Sequence, residues 1–224
     1  AGFLDGCSAL TVFDIPSGVT VIGDNAFRNC KKLNGITLPV ELEAIGAGAF
    51  NGCELISDLT IPSSVTSIGS NAFGSCTLIR SVVISGEAGT LSSLFPNAYQ
   101  QIVTVSVLPG SERLTDRIFA GCKSLKSVDI PTSVTEIGDG AFENCTALTS
   151  VGIPSGVTVL GKGAFRSCAS LSEITLPNGL SILEDEVFSG CSQLTAITVP
   201  ESVVELGSKV FDGCTALHSV KFVG

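Results

Sequence analysis

The stretch "IPSGVTVIGDNAFRNC", residues 15–30, returns as "IPTSVTEIGDGAFENC" at residues 130–145, with eleven of sixteen positions identical. The offset is 115 residues, five periods of 23. The cysteines keep the same beat: Cys7, Cys30, Cys53, Cys76, Cys122, Cys145, Cys168, Cys191 and Cys214. The one gap of 46 residues is two periods and skips a slot held by Tyr99. Prolines (Pro16, Pro39, Pro62, Pro131, Pro154, Pro177, Pro200) and phenylalanines (Phe27, Phe50, Phe73, Phe119, Phe142, Phe165, Phe188, Phe211) follow suit. A fixed period of this length marks a stacked-coil protein, in which no unit buries its apolar face alone and stacking buries all of them together.

One unit reads C-x-x-L-x-x-I-x-I-P-x-x-V-x-x-I-G-x-x-A-F-x-x. The pair Ile36 and Leu38, or Val128 and Ile130, is spaced by two, which predicts a short strand with one face buried. Proline then ends the strand, because it has no N–H for the ladder. The next apolar pair, Val19 and Ile22 or Val134 and Ile137, is spaced by three and predicts a bend or a second short extended piece. Gly23, Gly46, Gly69, Gly138, Gly161 and Gly207 follow, and a turn with positive φ is expected there. Asp24, Ser70 and Asp139 come next and are expected to cap a helical turn. Phe and Cys, three apart, share one face of that turn.

The unit resembles the BspA-like (treponemal-type) leucine-rich repeat, a 23-residue class, through "LTAITVPESVVELGSKVFDGC" at 194–214 and its copies. The resemblance implies a repeat solenoid: a curved array with a parallel β-sheet and short helical turns on the convex side. It also implies a surface or secreted protein that binds other proteins. One solenoid of about ten coils is expected over residues 1–224. The chain contains no methionine and stops mid-unit at both ends, so it reads as an excerpt of a longer protein.

Residues 85–117 depart from the pattern while preserving its length. Ser85 and Leu108 replace proline, Ser92 and Thr115 replace glycine, and Pro96 and Tyr99 replace Phe and Cys. Ile102, Val105 and Val107 keep their strand slots. Two readings stay open. Phe95 and Tyr99 form an aromatic docking point, since aromatic anchors dominate contact energy, or they fill the space left by the missing Phe and Cys.

Chemistry-bearing constellations are lacking. The cysteines recur in one inward slot, which suits a reduced column of small hydrophobes. No C-x-x-C occurs, His218 is the single histidine, and no phosphate-binding glycine loop is present. These features argue against a metal, a cofactor and an enzymatic role, and no catalytic residue is assigned. The formal net charge of −9 disfavours nucleic acid and anionic lipid, and no apolar run is long enough to insert in a membrane.

Residues flanking the inward strand pair should face outward. Asp58, Thr60, Ser127, Asp129, Glu173 and Thr175 are the candidate partner-binding residues of that face, joined by Phe95 and Tyr99 of the irregular coil. The face is small, hydroxylated and mildly acidic, which suits weak contacts spread over many coils. The expected function is a non-enzymatic scaffold for a protein partner, extracellular or on a cell surface. The alternative is a structural subunit of a larger assembly. Uncapped coil ends offer a route to self-association.

Overall fold

The computed structural model describes residues 1–223. The chain is a parallel-sheet β-solenoid of about nine turns with almost no helix. Each regular coil is a polygon closed by tight turns with i+3 to i hydrogen bonds. In the second coil these include Leu33 N to Cys30 O (3.0 Å), Leu42 N to Pro39 O (3.0 Å), Ala49 N to Gly46 O (3.2 Å) and Cys53 N to Phe50 O (3.0 Å). Proline therefore does more than stop a strand, since its carbonyl accepts the bond that closes the next corner.

Three backbone ladders tie neighbouring coils. The inner ladder holds the expected strands, among them Gly35–Thr37, Asp58–Thr60, Ser81–Ile84, Thr104–Val107 and Ser127–Asp129. Its register steps by one period, so Asp58 faces Ser81 and Val82 faces Val105. The outer ladder is made of two-residue strands such as Val21–Ile22, Ala44–Ile45 and Glu136–Ile137. It is the second extended piece that the spacing by three left open. The third ladder runs through the Ala-Phe turn, where Asn25 N, Phe27 N and Asn29 N donate to the carbonyls of Ala47, Ala49 and Asn51 at 2.7–2.9 Å. Its donors lie in the earlier coil, whereas those of the outer ladder lie in the later one (Gly46 N to Ile22 O, 2.7 Å).

The core is a set of columns. Rings of Phe27, Phe50 and Phe73 stack with centroids 5.1 and 5.4 Å apart, and those of Phe142, Phe165 and Phe188 at 5.0 and 5.7 Å. The cysteines form a parallel seam, and Cys30, Cys53, Cys76, Cys122, Cys145, Cys168 and Cys191 are buried as free thiols. Most Sγ atoms have a partner. Cys53, Cys76, Cys145, Cys168, Cys191 and Cys214 each donate to the Phe carbonyl 26 residues earlier, at 3.1–3.3 Å. Burial pushes the thiols of Cys76, Cys122 and Cys191 up to about 12, and those of Cys145 and Cys168 rise well above their ordinary value for the same reason.

These shifts give a pH prediction. Above pH 9 an unfolded chain loses thiol protons that the folded chain retains. The unfolded state then binds fewer protons, so stability falls as pH rises from about 9 toward 12 and is insensitive to the thiols below that window. The limiting slope is about 1.4 kcal/mol per pH unit for each buried thiol. Urea unfolding at stepped alkaline pH should show the fall, and a Cys145→Ala/Cys168→Ala variant should show a shallower one. At pH 8, iodoacetamide should label exposed Cys7 and spare the buried column.

Two expectations require correction. The column glycines do not have positive φ; left-handed backbone occurs two residues later, at Asn25, Gly48, Asn71, Arg117, Gly140, Gly163, Glu186 and Lys209. The glycines are needed because coils touch there. A Cβ built on Gly46, Gly69, Gly138, Gly161 or Gly207 comes within 2.4–2.5 Å of the preceding coil. The aspartates, in turn, do not cap their own turn. Asp24, Asp116, Asp139 and Asp185 each accept, through Oδ1, the backbone N–H one coil later (Ala47, Asp139, Lys162 and Ser208; 2.7–3.0 Å).

The outer ladder breaks wherever this glycine is missing. Its strands group as Val21–Ile22 to Ser67–Ile68, Arg113–Leu114 to Val159–Leu160, and Ile182–Leu183 with Glu205–Leu206. The unpaired junctions are those whose later coil carries Ser92, Thr115 or Glu184 in the glycine slot. In the irregular coil a four-residue helix, Leu91–Leu94, replaces the outer strand, and its N-cap Thr90 accepts from Ser93 N (3.3 Å). The inner ladder runs through undisturbed, with Val105 paired to both Val82 and Val128.

Candidate interaction face

The inner strands place alternate residues in two outward columns. Asp58, Thr60, Ser127, Asp129, Glu173 and Thr175 are all exposed. Ser57 Oγ donates to Asp58 Oδ2 at 2.7 Å, which orients that carboxylate. The register brings Asp58 beside Ser81, Ser127 beside Thr104 and Asp129 beside Ser106. Hydroxyl groups thus surround isolated carboxylates along one face.

The irregular coil does not contribute as an aromatic anchor at Phe95. This side chain is fully buried, with its ring 5.3 Å from that of Phe73. The Leu91–Leu94 helix shifts the phenylalanine by one residue and still delivers it to the column, so Phe95 has no surface to offer a partner. Tyr99 opens a one-turn helix, Tyr99–Gln101, and is half-buried against the core, its hydroxyl accepting from Gln100 Nε2 at 3.0 Å. The second of the two readings therefore describes Phe95, and Tyr99 stands half-buried at the cysteine position of this coil.

The strand face is not uniform. Residues 150–153 and 173–176, which hold regular strand slots, join no inter-coil backbone ladder among the described residues. Glu173 and Thr175 consequently line a groove of about 600 Å³ with Ser150, Gly152, Ala196 and Thr198. A second groove, about 490 Å³, opens between the unpaired strands Gly35–Thr37 and Asp58–Thr60 and includes Asp58, Thr60 and exposed Val40. The six face residues therefore fall in three places, with Ser127 and Asp129 on the last paired strand between the grooves.

The turn face holds a charged chain that sequence reading missed. Glu143 is nearly buried between Arg117 and Arg166, and Arg166 continues to Glu186 at 2.9 Å. Gly140 and Gly163 leave room for the long side chains to cross, since a Cβ on either would lie 3.3–3.4 Å from Glu143, Arg117 or Arg166. The signal was present in the opposite charges one period apart, Glu143 and Arg166. It is visible only once coils are aligned. The arrangement neutralises itself and acts as a strap across four coils.

The comparisons agree with this architecture. The model of the BspA-type leucine-rich repeat region matches residues 2–124 and 112–223. No curated protein matches the chain. Among solved structures, a leucine-rich cell surface protein from Faecalibacterium prausnitzii is 31% identical, with a TM-score of 0.56 over 94% of this chain and 59% of its own. A leucine-rich repeat protein from Bacteroides ovatus is 25% identical (TM-score 0.50; 96% and 73% covered). One from Eubacterium ventriosum is 22% identical (TM-score 0.54; 93% and 71% covered) and supports the fold alone. The chain spans about three-fifths of the Faecalibacterium protein. Period, ladder geometry and family match coincide over nearly every residue, and the chain belongs to the BspA-type leucine-rich repeat family.

Proposed function

We propose that the chain is a non-enzymatic binding module, displayed outside the cell or on its surface, that offers its strand face to a protein partner. The observation that carries this reading is the strand face itself. Two columns of small, hydroxylated side chains stay in register from Asp58–Thr60 to Ser127–Asp129, with exposed carboxylates at Asp58 and Asp129 and a further one at Glu173 beyond the paired strands. On such a surface affinity comes from many shallow contacts and from carboxylates steering basic groups. The likeness to a cell surface protein supports the location.

The test is a charge reversal that leaves the core untouched. Asp58→Lys/Asp129→Lys/Glu173→Lys should fold normally, because all three side chains are exposed. Binding to immobilised extracellular matrix proteins should fall at least about tenfold, the equivalent of roughly 1.4 kcal/mol. Unchanged binding by the folded variant would remove the strand face from the proposal.

A further inference from the structure

We infer that the groove beside Asp58 is the anchoring point of the strand face, and that its occupant is a protein segment presenting a large apolar side chain next to a lysine or arginine. The inference deepens the proposed function and rests on that reading for the partner being a protein. Departures from the repeating unit meet at this groove. Regular coils follow proline with a small or polar residue (Ser17, Ser63, Thr132, Ser155, Asn178 or Glu201), whereas the second coil has Val40. Val40 is 75% exposed and lines the groove. Leu108 lines it too, from a slot that holds proline in regular coils. Ser85, in the same slot one coil before Leu108, is small enough to leave the leucine open to the groove.

The fold does not require these apolar residues. The Val40 slot takes serine in three other coils. The corner at Leu108 closes as it does after proline, with Ser111 N donating to Leu108 O at 3.3 Å. An apolar side chain left exposed without a packing role marks a contact surface. The groove is also formed in advance. Leu38 and Leu59 are buried in its floor. Leu108 N donates to Ile84 O at 2.8 Å, a bond proline cannot make, and this fixes the backbone that carries the leucine. The volume of about 490 Å³ accepts a large side chain laid onto the face, with no strand between the coils.

Charge selects the occupant. Asp58 is the one charged side chain in the lining. Its carboxylate is oriented by Ser57 Oγ, and no ion pair among the described residues includes it. A lysine or arginine on the partner supplies the missing cation through a charge-assisted hydrogen bond. The apolar walls at Val40 and Leu108 take the neighbouring side chain, and anchors seated in pockets carry most of a contact's energy. A second copy of the chain fits less well, because each copy carries a net charge of −9 and the two repel.

The experiment pans a phage-displayed random peptide library against the full chain and titrates the enriched peptides by calorimetry. They should share a large apolar residue beside Lys or Arg. Affinity should fall at least about tenfold toward Val40→Ser and toward Asp58→Asn. Val40→Ser installs the residue found at Ser17 and Ser63, so it should fold normally, with circular dichroism as the check. Added salt should weaken binding to the wild type and have little effect on Asp58→Asn. Val204→Ser, an exposed valine outside the groove, should change nothing. No enrichment, peptides indifferent to Val40→Ser, or an equal loss at Val204→Ser would overturn the inference. So would self-association abolished by Val40→Ser, which would give the groove to a second copy. Failure here is distinguishable from failure of the proposed function. Matrix binding that falls with the charge reversal but ignores Val40→Ser sinks the groove and leaves the strand face. Peptides that depend on Val40, with matrix binding that survives the charge reversal, leave the groove standing and sink the proposed function.

Discussion

Replacing Phe165 with alanine is expected to lower the free energy of unfolding by about 3–5 kcal/mol, the range of a large aromatic deleted from a packed core. The side chain is fully buried between Phe142 and Phe188, at ring separations of 5.0 and 5.7 Å. A solenoid holds its stability partly within repeats and partly at interfaces between neighbours, and this ring belongs to two interfaces at once. Deleting it leaves a cavity that neither neighbour can fill, because each ring is held by its own coil's turn and by the third ladder through Phe142 N and Phe165 N. Urea unfolding followed by circular dichroism measures the loss, with exposed Phe3→Ala as the control. A loss below about 1 kcal/mol, the size of an ordinary surface change, would contradict the column.

Gly161→Val is expected to destabilise by about 2–4 kcal/mol, combining overpacking with a lost backbone hydrogen bond. The new Cβ would stand 2.5 Å from Asp139 Oδ1 and 2.6 Å from its backbone nitrogen. Relief requires the coils to part, which breaks Gly161 N to Ile137 O and the Asp139 Oδ1 bond to Lys162 N. Gly18→Val is the matched control, since nothing lies within 4 Å of a Cβ there. Equal effects at the two positions would show that the glycine column does not mark coil contact. Gly161→Val should also part the outer ladder at that junction, detectable as faster exchange of the amides at 159–161.

Much of the architecture was legible in the residues. The inner strand, its end at proline, the phenylalanine column and the buried thiols all follow from side-chain type repeating at one period, because a repeated unit in register must place like beside like. The glycines show where that reasoning stops. Their recurrence was plain, but it was ascribed to backbone conformation, whereas the cause is an atom of the preceding coil 2.4–2.5 Å from where a Cβ would stand. The aspartates fail in the same way, since a local cap and a bond to the following coil call for the same residue type. Phe95 stayed open between two readings because a slip of one residue looks like loss of the motif, and only the Leu91–Leu94 helix, which absorbs the slip, decides for the column.

From its own residues the chain determined a stacked solenoid, its period, which side chains point inward and which face is left for solvent. These are properties of one unit copied along a line, and a single copy contains them. Only the folded stack decided why the glycines are glycines, how carboxylates lace one coil to the next, where the ladders part at Glu184 and where grooves open beside Asp58 and Glu173. Each of those depends on the distance between residues 23 positions apart, and that distance exists only once the coils are packed.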